Sequence, residues 1–146
     1  MQKIIEGVTS DASKWSWSQM FMKQIEEAKG QESGVTGVAS GFTALDRVTS
    51  GWQPSDLVII AARPAMGKTS YVLSLARNAA VDFDKPIAFF SLEMSSVQLV
   101  TRLVSAESEI SAEKLRSGNL RDDEIQQINS KITELAEAKI FIDDTP

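Results

Sequence analysis

The 146-residue sequence contains no cysteine and no histidine, and has only 4 prolines and 1 tyrosine. Without cysteine there is neither a disulfide nor a thiolate nucleophile, and without histidine the common zinc ligand and the usual neutral-pH base are both missing. Any general base must therefore be a carboxylate or a lysine. Long apolar runs are also lacking. None approaches the roughly 18 to 20 residues that a membrane span needs, and the opening M-Q-K-I-I-E-G-V has no signal-peptide core, which predicts a cytoplasmic protein with no membrane partner. Clustered cations are missing as well. Residues 1–104 carry 10 Lys+Arg and 10 Asp+Glu, whereas residues 105–146 carry 5 against 10, so composition by itself predicts no basic face for a nucleic acid.

What is present is an ordinary globular composition, with 42% hydrophobic and 24% charged residues and a net charge of -5, at a length that allows about one domain. The first apolar-periodic stretch, about Ser16 to Lys29, has Trp17, Phe21, Ile25 and Ala28 at helical spacing, with Ser16 and Gln19 suited to a capping box and Gly30 placed to end it. Its periodicity does not say whether this face packs on its own domain or on a partner. The segment G-Q-E-S-G-V-T-G-V-A-S-G at Gly30 to Gly41 reads as a linker, so residues 1–40 form a linker region and 41–146 a second unit.

In that second unit, strand signals alternate with helix signals. The uninterrupted apolar run Leu57 to Ala61 predicts a strand covered on both faces, followed by a tight loop and a helix with Tyr71, Val72, Leu75, Ala76 and Ala79 at helical spacing. A second strand is predicted at Ile87 to Leu92, then a helix from Ser95, where Ser95 and Gln98 fit a capping box. A short helix near Ser111 to Ser117 stops at Gly118. A longer helix carries Ile125, Ile128, Ile132 and Leu135 on one side, and a third strand runs over Ile140 to Ile142. Alternation of this kind predicts an α/β domain with a parallel sheet flanked by helices. Three strands are few for such a sheet, and the domain is expected to be incomplete.

The segment Ala62, Arg63, Pro64, Ala65, Met66, Gly67, Lys68, Thr69 fits the phosphate-binding loop G-x-x-x-x-G-K-[ST], with Ala62 at the first glycine position. Gly67 lets backbone N–H groups close around phosphates, Lys68 supplies a charge to β and γ oxygens, and Thr69 offers a hydroxyl to Mg²⁺ at a helix N-terminus, beside Ser70. Glu93 follows the second strand, at the end that faces the same crevice in a parallel sheet. It can act as general base for the water attacking a γ-phosphate, or it can be simply an acid favoured at a helix N-terminus. Asp143, after I-F-I, fits a Walker B acid that holds Mg²⁺, with Asp144 as the neighbouring candidate; a polar turn ending a strand is the alternative. Trp15, Trp17 and Trp52 are expected in packing, and Arg102 as a solvated helical residue.

G-F-T-A-L-D-R-V-T-S-G-W-Q-P-S-D-L at Gly41 to Leu57, A-A-R-P-A-M-G-K-T at Ala61 to Thr69, S-L-E-M-S at Ser91 to Ser95 and F-I-D-D-T-P at Phe141 to Pro146 together resemble the DnaB-type bacterial replicative DNA helicases. The likeness covers about Ile25 to Pro146, and alanine at the first loop position is common in that family. It implies a RecA-like P-loop NTPase domain, present in part, that uses ATP and Mg²⁺, assembles as a homo-hexamer, translocates on single-stranded DNA and unwinds duplex. Lys68 and Thr69 would bind phosphate and metal, Glu93 would be the catalytic base and Asp143 the Walker B acid. The helix at Ser16 to Lys29 resembles the family's linker helix, which packs on the neighbouring subunit. Primase and a helicase loader are the implied partners in the primosome. The family's DNA-binding loops, phosphate sensor and arginine finger have no counterpart within this stretch. Two other classes compete. One is a RecA-like regulatory or scaffold ATPase that assembles in response to nucleotide without unwinding DNA, and the other a small-molecule kinase. A GTPase is disfavoured by the lack of an N-K-x-D motif.

Overall fold

The computed structural model describes residues 17–30 and 34–145. Helix α1 spans Trp17–Lys29, and the Gly30 N–H closes onto the Glu26 carbonyl at 3.1 Å, so the chain leaves the helix where a glycine was expected to end it. The expected cap, Ser16, lies outside the described residues. So does Trp15. Trp17 is 80% exposed, with Met20, Phe21 and Met22 also exposed, so the packing expected of Trp17 is not made within the described residues.

The glycine-rich segment departs from a free linker. Thr36 and Gly37 donate to the Ser50 carbonyl, and Val38 pairs with Trp52 in an antiparallel bridge. Beyond the bridge, the buried Asp46 carboxylate of α2 (Thr43–Thr49) accepts the Ser40 N–H at 2.8 Å and the Gly41 N–H at 3.2 Å. Gly41 has φ +79, and a Cβ there would collide with the Asn78 side chain, which itself donates to the Ser40 carbonyl. Only glycine meets both conditions.

Helix α3 (Lys68–Arg77) runs into a π-helical turn at Asn78–Asp82. Strand β1 (Ile87–Phe90) pairs in parallel with β2 (Ile140–Asp143), in register from Ile87 opposite Ile140 to Phe90 opposite Asp143. Between them the chain crosses over through α4 (Ser96–Ser108), α5 (Ala112–Ser117) and α6 (Asp122–Glu137). The capping signals act as expected: Ser95 and Gln98 form a reciprocal box, Ser111 caps α5, and Gly118 ends it in the left-handed region.

Leu73 of α3 and Leu99 and Leu103 of α4 form the core against one sheet face, joined by Phe89, Met94, Leu135 and Ile142. A second cluster, Val104, Ile110 and Ile128, binds α4 to α6 through Leu115, Leu120 and Leu135. Arg77 ties the end of α3 to both sides, pairing with Asp82 at 2.6 Å and Glu107 at 2.5 Å.

One predicted element is corrected. Leu57 to Ala61 is not a strand covered on both faces: it has no ladder partner among the described residues, and Leu57 and Ile59 are 87% and 79% exposed. A strand exists only as a hydrogen-bonded pair, and no described segment lies alongside to supply the second half. Among the described residues the sheet accordingly has two strands rather than three, and Phe90 and Phe141 on its second face are exposed.

Candidate nucleotide site

The loop from Ala62 to Gly67 is an exposed turn closed by a Met66 N–H bond to the Arg63 carbonyl at 3.3 Å. Its left-handed positions are Ala65, with φ 63, and Gly67, with φ 83. Ala62 keeps an ordinary negative φ, so the first loop position does not need glycine here. Gly67 serves as N-cap of α3 with no side-chain cap, and the first bond of that helix runs from Tyr71 N–H to the Gly67 carbonyl at 2.9 Å. The N–H groups of Lys68, Thr69 and Ser70 precede it. This contrasts with α4 and α5, whose ends are closed by Ser95 and Ser111. An uncapped N-terminus with open space beside Gly67 is suited to an anion, since the orphan donors and the helix dipole both favour negative charge. Lys68 is exposed and Thr69 half-buried beside these donors.

Two side chains fix how α3 presents this end. Tyr71 stacks on Phe42, with ring centroids 5.4 Å apart. Arg102 of α4 donates from Nη1 to Ser70 Oγ at 3.2 Å, so it is not the purely solvated residue expected.

Of the two candidate carboxylates, one follows the first parallel strand and the other ends the second. Glu93 lies on the loop leaving β1 and is exposed; Asp143 is the last residue of β2. The ladder brings their neighbourhoods together, because Ser91 N–H donates to the Asp143 carbonyl at 2.9 Å. Asp143 Oδ1 accepts the Thr145 N–H at 2.9 Å, and hydrogen bonding from Thr145, side chain first and then backbone, holds the Asp143 carboxyl below its ordinary range. It is thus a carboxylate at neutral pH, as a cation ligand must be. Asp144 is engaged elsewhere, accepting the Ser96 N–H at 2.7 Å. Among the described residues no three acids cluster as a self-sufficient metal site.

Sequence reasoning missed Ser91, whose Oγ donates to the Met94 carbonyl at 2.7 Å and accepts the Met94 N–H at 3.1 Å, closing the loop that carries Glu93. It also missed the Arg102 contact. Neither has a local signature, although Ser91 stands inside the S-L-E-M-S string.

The chain is similar to known proteins over most of its length. Residues 37–146 match the family described as DnaB-like helicase C terminal domain. Over 122 residues the chain is 44% identical to the replicative DNA helicase DnaC of Bacillus subtilis (strain 168), covering 84% of this chain and 27% of that protein. Over 124 residues it is 48% identical to the replicative DNA helicase DnaB of Nostoc sp., covering 85% and 14% respectively. The chain therefore spans well under a third of these relatives. Among solved structures, one described as an ATPase domain superposes with a TM-score of 0.81 at 33% identity, over 89% of this chain and 46% of that one. A DnaB-like replicative helicase studied with its primase gives 0.75 at 33% identity, over 90% and 32%. A helix that starts uncapped behind a G-K-T loop fits these likenesses, and the match over residues 37–146 decides the matter: the chain belongs to the DnaB-like helicase C-terminal domain family.

Proposed function

We propose that this chain is the phosphate-binding part of the ATP-driven motor of a replicative DNA helicase. The observation that carries the reading is the uncapped N-terminus of α3, opening behind Gly67 with Lys68 and Thr69 as its first residues. Loop residues Ala62 to Met66, Gly67 and Ser70 surround the phosphates of ATP, and the Lys68 ammonium neutralises charge on the β and γ oxygens. Thr69 and Asp143 hold Mg²⁺, which supplies charge neutralisation at the phosphates. Glu93 accepts the proton of the attacking water; with no histidine in the sequence, a carboxylate is the natural base.

The wider roles rest on the relatives. Hydrolysis in a homo-hexamer, translocation on single-stranded DNA and duplex unwinding fit proteins named replicative helicases, and primase as a partner fits the neighbour studied with one. A helicase loader and a cytoplasmic location belong to the same reading. The exposed apolar face of α1, with Trp17 and Phe21, supports its role as a linker helix seated on a neighbouring subunit.

In the full-length protein, Lys68→Ala should abolish ATP hydrolysis and DNA unwinding together. Undiminished hydrolysis would refute the phosphate-loop reading. Hydrolysis lost with Lys68→Ala in a wild-type protein that never unwinds a forked duplex would instead identify a scaffold ATPase.

A further inference from the structure

Two adjacent acids end β2, and they are engaged differently. Among the described residues, the Asp143 carboxylate bonds within its own turn, to Thr145. Asp144 reaches 48 residues back to α4, where its Oδ2 accepts the N–H of Ser96 at 2.7 Å. Ser96 is the first residue of that helix, and its N–H is a donor that the helix itself leaves without an acceptor. The loop between β1 and α4 carries Glu93, which is exposed and makes no side-chain hydrogen bond or ion pair among the described residues. Its placement therefore depends on the backbone around it.

That backbone is held on both sides. Before Glu93, the Ser91 N–H joins the ladder at the Asp143 carbonyl, and Ser91 Oγ clasps both backbone groups of Met94. After it, Met94 packs on the Leu73, Leu99 and Leu103 core, and the Ser95 box starts α4. Ile142 of β2 packs on the same core, and the hydrogen bond that ties the start of α4 to the end of β2 is Asp144 to Ser96.

We propose that Asp144 is a positioning residue for Glu93, anchoring the start of α4 to the strand end that presents Asp143, so that one acid serves the metal and its neighbour sets the base. The proposal rests on Glu93 acting as the base. A carboxylate bond to a helix N-terminal N–H is charge-assisted, which suits a tether between the start of a helix and a strand end. A shift of about 1 Å in a catalytic group can cost as much as 10²-fold in rate, so loosening this anchor should appear in turnover before it appears in binding.

Steady-state ATPase assays on the full-length protein test this with four variants. Asp144→Ala should lower kcat by about 10- to 100-fold, with KM for ATP and the Mg²⁺ concentration for half-maximal rate within about twofold of wild type. Asp144→Asn keeps an oxygen that can accept the Ser96 N–H, and should recover most of the lost kcat; it also decides the matter if Asp144→Ala fails to fold. Adding Asp144→Ala to Glu93→Gln should change kcat by no more than about twofold, because both act through one group. A raised Mg²⁺ requirement in the Asp144 variants would overturn the proposal by making Asp144 a metal ligand. So would unchanged kcat in Asp144→Ala, an Asn variant as slow as the Ala variant, or a fully additive double variant. Failure of the underlying reading is separately visible, because Glu93→Gln alone would then turn over at the wild-type rate.

Discussion

Arg102, in the second turn of α4, donates from Nη1 to Ser70 Oγ in the first turn of α3 at 3.2 Å. The helix that follows Glu93 is thereby bonded to the helix that begins at Lys68. Beneath this polar contact the same two helices share Leu73, Leu99 and Leu103, so the bond sits on a packed joint rather than on two mobile ends. A hydrogen bond from a charged donor at an exposed site is worth on the order of 1 kcal/mol. Arg102→Ala should accordingly weaken ATP binding by only about 3- to 10-fold in a nucleotide titration of the full-length protein. A loss as complete as that expected for Lys68→Ala would show that Arg102 touches the phosphates directly.

Glu93 and Asp143 should separate kinetically. Glu93→Gln retains the shape of the side chain and loses its basicity, so ATP should still bind while turnover falls by at least about 10²-fold. Asp143→Asn should chiefly raise the Mg²⁺ concentration required for activity. Titrating ATP and Mg²⁺ against initial rate distinguishes them, and matching profiles for both variants would contradict the assignment.

What could be read from the sequence was what local signals encode. The ends of α4 and α5 follow from Ser95, Gln98, Ser111 and Gly118, whose bonds span three or four residues. β1 and β2 came through as short apolar runs, with Asp143 at the expected end. The run at Leu57 to Ala61 looked the same, yet strand formation depends on a partner that no property of the run reveals. The Asp144 to Ser96 and Asn78 to Ser40 contacts were illegible for a related reason: 48 and 38 residues separate the partners, and nothing periodic links them. Ala62 is instructive in the other direction, since the motif asks for glycine where the backbone needs none and the left-handed load falls on Ala65 and Gly67.

Acid sensitivity should trace in part to Glu124. This buried carboxylate accepts the Lys114 ammonium at 2.7 Å and the Arg121 N–H at 3.0 Å, and these bonds, Lys114 first, lower its pKa from the ordinary 4.5. A lowered folded-state value means stability that is fully present above 4.5 and lost as pH falls through the folded value. Melting temperature should therefore drop on acidification below that range, and Glu124→Gln should flatten the drop while lowering the plateau at neutral pH. A variant with the wild-type slope would place the acid sensitivity in other carboxylates, of which Asp84, Asp123 and Asp143 are shifted in the same direction.

Residues 1–146 on their own should not behave as a DNA-driven motor. The residues proposed to cradle phosphate all fall within this stretch: the loop at Gly67, the uncapped start of α3, Glu93 after β1 and Asp143 at the end of β2. Two further requirements of a DNA-driven motor have no visible source. Phosphate contacts with DNA need clustered cations, whereas Lys+Arg and Asp+Glu balance over residues 1–104 and the acids exceed the bases over 105–146. In phosphoryl-transfer enzymes a cation inserted at the developing charge contributes roughly 10³ to 10⁵ in rate. Of the arginines near the loop, Arg102 is bonded to Ser70, and Arg63 lies within the loop itself, so neither is placed to reach across into a second copy's site. The isolated 146-residue chain should therefore show weak nucleotide binding at most, with no hydrolysis that rises on adding single-stranded DNA and no unwinding of a forked duplex. A phosphate-release assay with and without oligonucleotide decides the point. DNA-stimulated release would locate both a DNA-binding surface and a transition-state cation among residues whose charges give no sign of either.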